Sequence, residues 1–167
     1  MTQFLSFYSA STEMAIAILR LHDAIPSPIL KPVSSVSPAI RGVIDYRGSA
    51  LPVLDVSMKL APSTYEGAIQ PWILVLDVSV DGERVILGVL AERIGEAFEL
   101  DEGRMHTATA LDGASPAEFF RGLAEVDARL IPVVDMDLIV SAKGLQIASA
   151  LGDPRATNEF AAGTRTR

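Results

Sequence analysis

The internal repeat of an Arg-Gly segment constrains the fold of this sequence more than any other feature. Residues 41–55 recur without gaps as residues 121–135. Arg, Gly, Pro, Val and Asp hold the same places in both copies, and most of the other positions keep their apolar character. A recurring segment of this kind predicts two similar structural units within one chain.

The fixed residues of the repeat carry structural meaning of their own. Gly42 and Gly122 would let a strand bend sharply or let two backbones approach closely, as the corners of a barrel require. Pro52 and Pro132 lack an N–H for the strand ladder, so we predict them at strand edges or bulges. The aspartate that ends each copy is predicted to cap a helical segment, because a carboxylate there can accept a bond from a free N–H.

Short apolar runs separated by turn residues dominate the rest of the chain. The runs predicted as strands cover residues 4–8, 14–19, 42–46, 50–54, 72–80, 85–91, 94–100, 120–126 and 129–134. Asp81-Gly82 is predicted to form a type I′ hairpin turn, in which both central residues need positive φ. Residues 9–12 and 46–49 are also expected to be hairpin tips. Short strands at this spacing are typical of a barrel or a sandwich.

The segments outside the strands differ in character. Residues 24–39 contain several prolines and are predicted to form an irregular loop, with at most a short helical turn before it. Residues 61–71 are expected to be a second linker, and apolar residues at helical spacing predict one helix over residues 135–151. We expect a folded unit of residues 1–151, in which each of two β subdomains combines one plain hairpin with one Arg-Gly hairpin. Residues 152–167 are expected to be a disordered tail.

The charge balance and the lack of cysteine limit the possible partners. A net charge of −7 argues against binding to nucleic acid or to an anionic membrane, both of which attract Lys- and Arg-rich surfaces. The sequence contains no cysteine, which excludes disulfides and thiolate metal sites. The N-terminus has no signal-peptide pattern and no apolar run approaches the ~18 residues of a membrane span, so we predict a cytoplasmic protein without membrane insertion.

Motifs for catalysis are absent from the sequence. His22 and His106 have no companion at ligand spacing, so each is interpreted as a surface residue rather than a metal ligand. No phosphate-binding glycine motif and no nucleophile elbow occurs, and the acidic stretch of residues 92–102 is typical of an exposed face. We therefore predict that the protein is not an enzyme and needs no metal or cofactor.

Three features are harder to interpret from the residues alone. Arg47 lies at a predicted hairpin tip, where it is either a solvated turn residue or a binding residue, since its planar fork suits interfaces. Trp72, the only tryptophan, begins a strand and belongs either to the core or to a binding surface. Leu21 and Asp23 end an apolar stretch, which makes them either a helix end or part of a site.

The motifs resemble those of a known family, the CheW chemotaxis coupling proteins. Residues 42–55, GVIDYRGSALPVLD, resemble its signature GVINLRGxxxPVxDL. Residues 4–7 resemble its opening strand, residues 14–23 its segment YGIDILKVQEI, and residues 85–92 its strand VGLVVD. Residues 120–138 are similar to its closing segment IRGVARLDGRLLLLLDLDRLL. The resemblance runs in the same order from about Phe4 to Val140 and so covers nearly all of the expected folded part.

The resemblance implies both a fold and a role. The fold would be all-β, with two intertwined five-stranded SH3-like barrels, short connecting helices and one C-terminal helix. The protein would be a scaffold that binds the cytoplasmic signalling tip of chemoreceptors (methyl-accepting chemotaxis proteins) and the regulatory domain of a CheA-type histidine kinase. It would be recruited to membrane-associated receptor arrays from the cytoplasm and would itself make or break no bond.

The resemblance also implies a receptor-binding groove between the barrels. Its residues, carried over by position, are Leu21, Asp23, Arg47, Ala50 and Leu51, with Trp72 and Ile94 on the other side. The apolar side chains would receive a receptor helix. Arg47 and Asp23 would fix its register and select the partner by charge.

This sequence departs from the family pattern at several of these places. Asp45-Tyr46 replaces the usual Asn-Leu before the Arg-Gly pair, Asp23 replaces a glutamate, and Ala50 replaces a larger apolar residue. One alternative is therefore an adaptor of an array that controls attachment, pili or a second messenger instead of motility. A different alternative is a small-molecule sensor that uses the groove near Trp72 as its pocket.

Overall fold

The computed structural model describes residues 1–9, 11–32, 40–56, 71–80, 82–106 and 120–137. Within these residues the chain forms strands β1 (Thr2–Ser9), β2 (Thr12–Ala17), β3 (Leu21–Pro26), β4 (Ile40–Tyr46), β5 (Ser49–Leu54), β6 (Trp72–Val80), β7 (Glu83–Ala91), β8 (Arg93–Leu100), β9 (Phe120–Val126) and β10 (Arg129–Val134). Single 3-10 turns, Ile18–Arg20 and Glu102–Arg104, follow β2 and β8. The predicted all-β fold is confirmed.

The strands form two five-stranded sheets in an intertwined order. The first sheet has the order β8-β1-β2-β10-β9, and the second has the order β3-β6-β7-β5-β4. Each sheet therefore combines one plain hairpin with one Arg-Gly hairpin. The combination is crossed, because the N-terminal hairpin β1–β2 joins the second Arg-Gly copy at the far end of the chain.

The two copies of the repeat form equivalent hairpins, β4–β5 and β9–β10. Their tight turns place Arg47 and Gly48 at φ of 50° and 83°, and Asp127 and Ala128 at 49° and 64°. Two consecutive positive φ values are the mark of a type I′ turn, whose twist matches that of the flanking strands. The repeat in the sequence is therefore also a repeat in the structure.

Both repeat glycines lie where another backbone crosses their strand. A Cβ atom on Gly42 would stand 2.7 Å from the carbonyl oxygen of Lys31, and one on Gly122 would stand 2.7 Å from that of His106. At these crossings Lys31 bridges to β4 and His106 bridges to β9. Because each bridging residue follows the strand at the opposite edge, the bridge brings the two edges of its sheet together. The predicted close backbone approach is confirmed.

The prolines of the repeat sit in interior strands rather than in edge strands. Pro52 pairs with Val43, and the parallel register with β7 begins only at the next residue, Val53. Pro132 likewise pairs with β9 immediately before the single parallel pair that joins β10 to β2. Each proline thus lies where its strand has a paired neighbour on one side only, so no ladder donor is missing.

Among the described residues, three apolar clusters make up the core. The largest joins the two sheets, with Phe7, Met14, Ile16, Phe120 and Val134 from the first and Leu54, Leu74, Leu76, Leu87 and Val89 from the second. A smaller cluster lies within each sheet, around Phe4 and Ile131 in the first and around Leu51 and Ile73 in the second. Burial of such side chains stabilises a fold by about 1.5–3 kcal/mol each. The shared cluster is therefore what fixes the two sheets to each other.

One strand was not predicted from the sequence. The start of the expected proline loop is the strand β3, and the expected helical turn before it is the 3-10 turn at residues 18–20. Leu21 and Asp23 consequently lie on a strand and not at a helix end. β3 escapes detection because it is an edge strand whose residues are half-buried and mixed in polarity, and which ends in Pro26.

Several predictions fall wholly or partly outside the described residues. These are Asp81 of the predicted turn, the second linker up to residue 70, most of the predicted helix at residues 135–151, and the predicted tail at residues 152–167. Met136 and Asp137, which start that helix, are helical. Asp55, predicted as a cap, is buried, and its Oδ2 lies 3.7 Å from the Nε of Arg41.

Candidate functional site

The Arg-Gly turn of the second sheet meets β3 at the opposite edge of the same sheet. The hydroxyl of Tyr46 donates a hydrogen bond to Oδ2 of Asp23 at 2.9 Å. The guanidinium Nη2 of Arg47 lies 3.8 Å from the same oxygen. Since β3 and β4 are the two outer strands of this sheet, its curvature creates this contact.

The carboxylate of Asp23 is held in its charged form. The hydrogen bond from Tyr46 lowers the pKa of Asp23 most, followed by the N–H of Ala24, which donates to Oδ1 at 2.8 Å. The positive charge of Arg47 acts in the same direction, and partial burial opposes it. Burial, and then the bond to Asp23, raise the pKa of the Tyr46 hydroxyl, so this hydroxyl keeps its proton as a donor.

Arg47 projects from the turn with most of its surface in solvent. Its side chain is 70% exposed, and its guanidinium carbon lies 5.2 Å from the centre of the Tyr46 ring. Asp45 supports the turn, because its Oδ1 accepts the N–H of Gly48 at 3.1 Å. The backbone thus fixes the base of Arg47 while the charged end remains available.

A shallow depression of about 380 Å³ opens beside this turn. We call it the hairpin depression, and it is lined by His22, Tyr46, Arg47, Ser49, Ala50, Leu51, Pro52, Val85 and Ile86. The rings of His22 and Tyr46 meet edge to face, with their centres 6.4 Å apart. The depression therefore has aliphatic side chains from β5 and β7, and aromatic and charged groups at its rim.

The structure brings together only some of the residues predicted for the site. Arg47, Ala50 and Leu51 line the hairpin depression, and Asp23 joins it through Tyr46. The other three predicted residues, Leu21, Trp72 and Ile94, do not line it. They are half-buried and pack against the cluster shared by the two sheets.

Sequence reasoning missed six residues of the hairpin depression: His22, Tyr46, Ser49, Pro52, Val85 and Ile86. Tyr46 had a signal, since it is the aromatic departure next to Arg47 in the signature. His22 was interpreted as a surface residue, and it is exposed, but its position between Leu21 and Asp23 places it at the rim. Val85 and Ile86 carried no signal, because their place depends on how β7 meets β5.

A second, polar cavity of about 300 Å³ lies where the two sheets meet. We call it the inter-sheet seam, and it is lined by Ile16, Ala17, Arg20, Leu76, Asp77, Arg121, Val134, Asp135, Met136 and Asp137. Asp137 accepts bonds from the guanidinium of Arg20 at 2.7 Å and from the N–H of Ser79 at 2.8 Å. The start of the C-terminal helical segment is thereby tied to the crossover between the sheets and to β6.

The described ranges contain neither a metal-binding cluster nor a helix that could cross a membrane. Among those residues, no three His, Asp or Glu side chains are grouped closely enough to hold a metal ion. None of the helical segments in the same ranges has the length and apolar character needed to cross a bilayer.

Comparison with known proteins identifies relatives of the whole described region. A family model described as the CheW-like domain matches residues 3–144. The chain is 21% identical over 145 residues to the chemotaxis protein CheW of Klebsiella aerogenes, covering 87% of this chain and 85% of that one. It is 21% identical over 137 residues to the chemotaxis protein CheW of Rhizobium meliloti, covering 82% and 86%.

A solved structure has the same fold. The crystal structure of the scaffolding protein TtCheW from Thermoanaerobacter tengcongensis superposes with a TM-score of 0.74 at 17% sequence identity. The superposition covers 87% of this chain and 92% of that one. The two five-stranded sheets are thus a fold that is known from experiment.

Proposed function

We propose that this chain, which belongs to the family of CheW-like domains, couples chemoreceptors to a CheA-type histidine kinase. The family consists of non-enzymatic scaffold proteins of chemotaxis. The observation that carries the proposal is the hairpin depression, because it combines an apolar surface with an exposed cation at the most family-specific segment of the sequence. Such a surface suits one face of an amphipathic helix from a receptor tip.

The chemistry of the hairpin depression favours a helix over a small ligand. The depression is open and shallow, and Leu51 beneath it is only 3% exposed, so it is anchored in the core of the second sheet. Apolar side chains of a helix would cover Ala50 and Ile86, while Arg47 at the rim would fix the register. Charge at a rim contributes more to specificity and association rate than to affinity.

We propose that the receptor contact is centred on Arg47 and Ala50, above the buried Leu51, with Asp23 at its rim. Leu21, Trp72 and Ile94 stay proposed contacts for a helix that extends beyond the hairpin depression. The kinase is proposed to bind elsewhere through its own barrel-shaped regulatory domain. In this account the protein acts in the cytoplasm, at arrays of membrane receptors.

The proposal is tested by binding measurements with partners from the same genome. Purified protein is titrated calorimetrically with each receptor signalling-tip fragment and with each regulatory domain of a CheA-type kinase. Arg47→Ala is expected to weaken receptor binding about tenfold, because arginine is enriched among the interface residues whose truncation costs more than about 1 kcal/mol. Its melting temperature should stay nearly unchanged, since the side chain is mostly in solvent.

Arg104→Ala supplies the matched control for this experiment. Arg104 is an exposed arginine of the 3-10 turn that follows β8, on the other sheet. Its removal should leave receptor binding unchanged. Lack of binding to every receptor fragment and every kinase domain would contradict the proposal, and a large loss of stability in Arg47→Ala would show that this arginine is structural.

The inter-sheet seam supports a second candidate function, the binding of a small molecule. Its volume of about 300 Å³ is at the lower end of the range for ligand pockets. Against this candidate, Arg20 and Asp137 in the seam are paired with each other, and Arg121 is paired with Glu102. A thermal-shift screen of metabolites tests it, and stabilisation that Asp137→Ala abolishes would favour the sensor.

A further inference from the structure

Tyr46 contacts Asp23, Arg47 and His22 at the rim of the hairpin depression. Its hydroxyl binds Asp23 at 2.9 Å, its ring lies under the guanidinium of Arg47, and its edge meets His22. It also packs against the apolar cluster of the second sheet. A half-buried aromatic held on all these sides is rigid, and in this sequence it stands where the family signature has leucine.

The carboxylate of Asp23 has its strongest partners inside the protein. Oδ2 accepts the hydroxyl of Tyr46, and Oδ1 accepts the N–H of Ala24. Arg47 adds a positive charge 3.8 Å away. A hydrogen bond to a charged acceptor is about twice as strong as a neutral one. A cation on a partner would therefore have to compete with this internal network to pair with Asp23.

Arg47, in contrast to Asp23, remains available to a partner. Its separation of 3.8 Å from Asp23 is longer than a hydrogen bond, and its side chain is 70% exposed. A guanidinium has five N–H donors in a planar fork that matches a carboxylate. Of the other ionisable groups nearby, Asp45 accepts the N–H of Gly48, and His22 lies 3.8 Å from Asp77. The rim thus offers a partner an exposed guanidinium, although the whole protein carries a net charge of −7.

We propose that Tyr46 sets the charge preference of this site: its hydroxyl ties up Asp23, so that Arg47 selects a partner helix that carries a carboxylate. The carboxylate would lie three or four residues from the apolar side chain that enters the hairpin depression, since that spacing puts two side chains on one helix face. The inference rests on the proposed function, because it names the chemistry of the partner at the same site. Tyr46 acts here as a positioning residue.

The binding test uses the receptor signalling-tip fragment that binds the full-length protein in calorimetry. Each surface Glu or Asp of the fragment is changed in turn to Lys, and every fragment is titrated against the wild-type protein and Tyr46→Phe. For the wild-type protein, reversal at one position should weaken binding about tenfold, because an attraction becomes a repulsion. For Tyr46→Phe the same reversal should cost about twofold or less, since the freed Asp23 accepts the lysine.

Tyr8→Phe is the matched control variant. Tyr8 lies on β1 of the first sheet, with its ring under the guanidinium of Arg93 at 3.8 Å. For the Tyr8→Phe variant, charge reversal on the fragment should weaken binding by the same factor as for the wild-type protein. A carboxyl NMR titration of the same proteins adds a readout that needs no partner: loss of the hydroxyl should raise the pKa of Asp23 in Tyr46→Phe and leave it unchanged in Tyr8→Phe.

The outcomes separate this inference from the proposed function. If charge reversal costs the wild-type protein and Tyr46→Phe the same factor, or if the wild-type protein prefers the lysine-bearing fragment, the inference is wrong while receptor coupling stands. If no receptor fragment binds the wild-type protein, both are wrong, and the titration still reports whether Tyr46 holds Asp23.

Discussion

At the scale of residues, the ionisation of Asp23 depends more on the hydroxyl of Tyr46 than on the charge of Arg47. The hydrogen bond from Tyr46 lowers its pKa more than the nearby guanidinium does. This order agrees with the geometry, since the hydroxyl is at 2.9 Å and the guanidinium at 3.8 Å in a position open to water. Screening by water weakens an exposed ion pair.

The lowered pKa of Asp23 predicts a dependence of stability on pH. An unfolded aspartate has a pKa of about 3.9. Because the folded value is lower, the stabilisation from the ionised form is complete above the unfolded pKa and is lost as the pH falls through the folded pKa. The difference in unfolding free energy between the wild-type protein and Asp23→Asn should therefore shrink below about pH 4.

Urea unfolding of both proteins between about pH 3 and pH 7 measures this difference, at the same ionic strength throughout. Tyr46→Phe supplies the internal control. Removal of the hydroxyl should raise the pKa of Asp23, so the stabilisation from its ionised form should be lost at a higher pH. A difference that stays constant, or that grows as the pH falls, would contradict the role given to Asp23.

At the scale of elements, the two Arg-Gly hairpins are built around glycines that make room for a crossing backbone. Gly122→Ala should destabilise the protein by about 1–3 kcal/mol, a usual cost of overpacking. The new Cβ would stand 2.7 Å from the carbonyl oxygen of His106 and 3.2 Å from Cβ of Met105, so the backbone must shift.

Gly103→Ala is the control for this substitution in denaturant unfolding. Gly103 lies in the 3-10 turn at residues 102–104, and an added Cβ would approach Oδ1 of Asp101 no closer than 3.4 Å. Its loss of stability should be well below that of Gly122→Ala. Equal losses would mean that the crossing at His106 does not demand glycine.

Most of the elements could be predicted from the sequence, and the exception has a physical cause. Apolar runs, turn residues and the repeat indicate strands β4, β5, β9 and β10. They do not indicate β3, because an edge strand needs a partner on one side only and so tolerates His22, Asp23 and Pro26. Edge strands of this type have little of the alternation on which prediction depends.

At the scale of the whole molecule, the chain crosses between the sheets so that the first sheet combines β1 and β2 with β8, β9 and β10, while the consecutive strands β3 to β7 form the second. The N-terminal hairpin completes the sheet of the second repeat, and the plain hairpin β6–β7 completes that of the first. The shared apolar cluster and the contacts of Asp137 then fasten the sheets together. A surface on one sheet is thus held rigidly relative to surfaces on the other, as a scaffold requires.

The candidate site could be predicted only as far as local sequence reaches. Arg47, Ala50 and Leu51 were carried over by family resemblance, and the structure keeps them together because one hairpin carries them. The contact between Asp23 and Tyr46 joins opposite edges of a sheet and depends on its curvature, which no short motif encodes. Trp72 and Ile94 were carried over by family resemblance, and their half-buried placement depends on strand pairing across both sheets.

The most direct test of receptor binding at the hairpin depression is site-specific cross-linking. The protein has no cysteine, so Ala50→Cys can carry a single photoactivated cross-linker in the depression. Leu130→Cys is the control, because Leu130 is the repeat equivalent on the other sheet and is 56% exposed. The account predicts a cross-link from position 50 to the receptor signalling-tip fragment and none from position 130. Equal cross-linking from both positions, or cross-linking from position 130 alone, would contradict it.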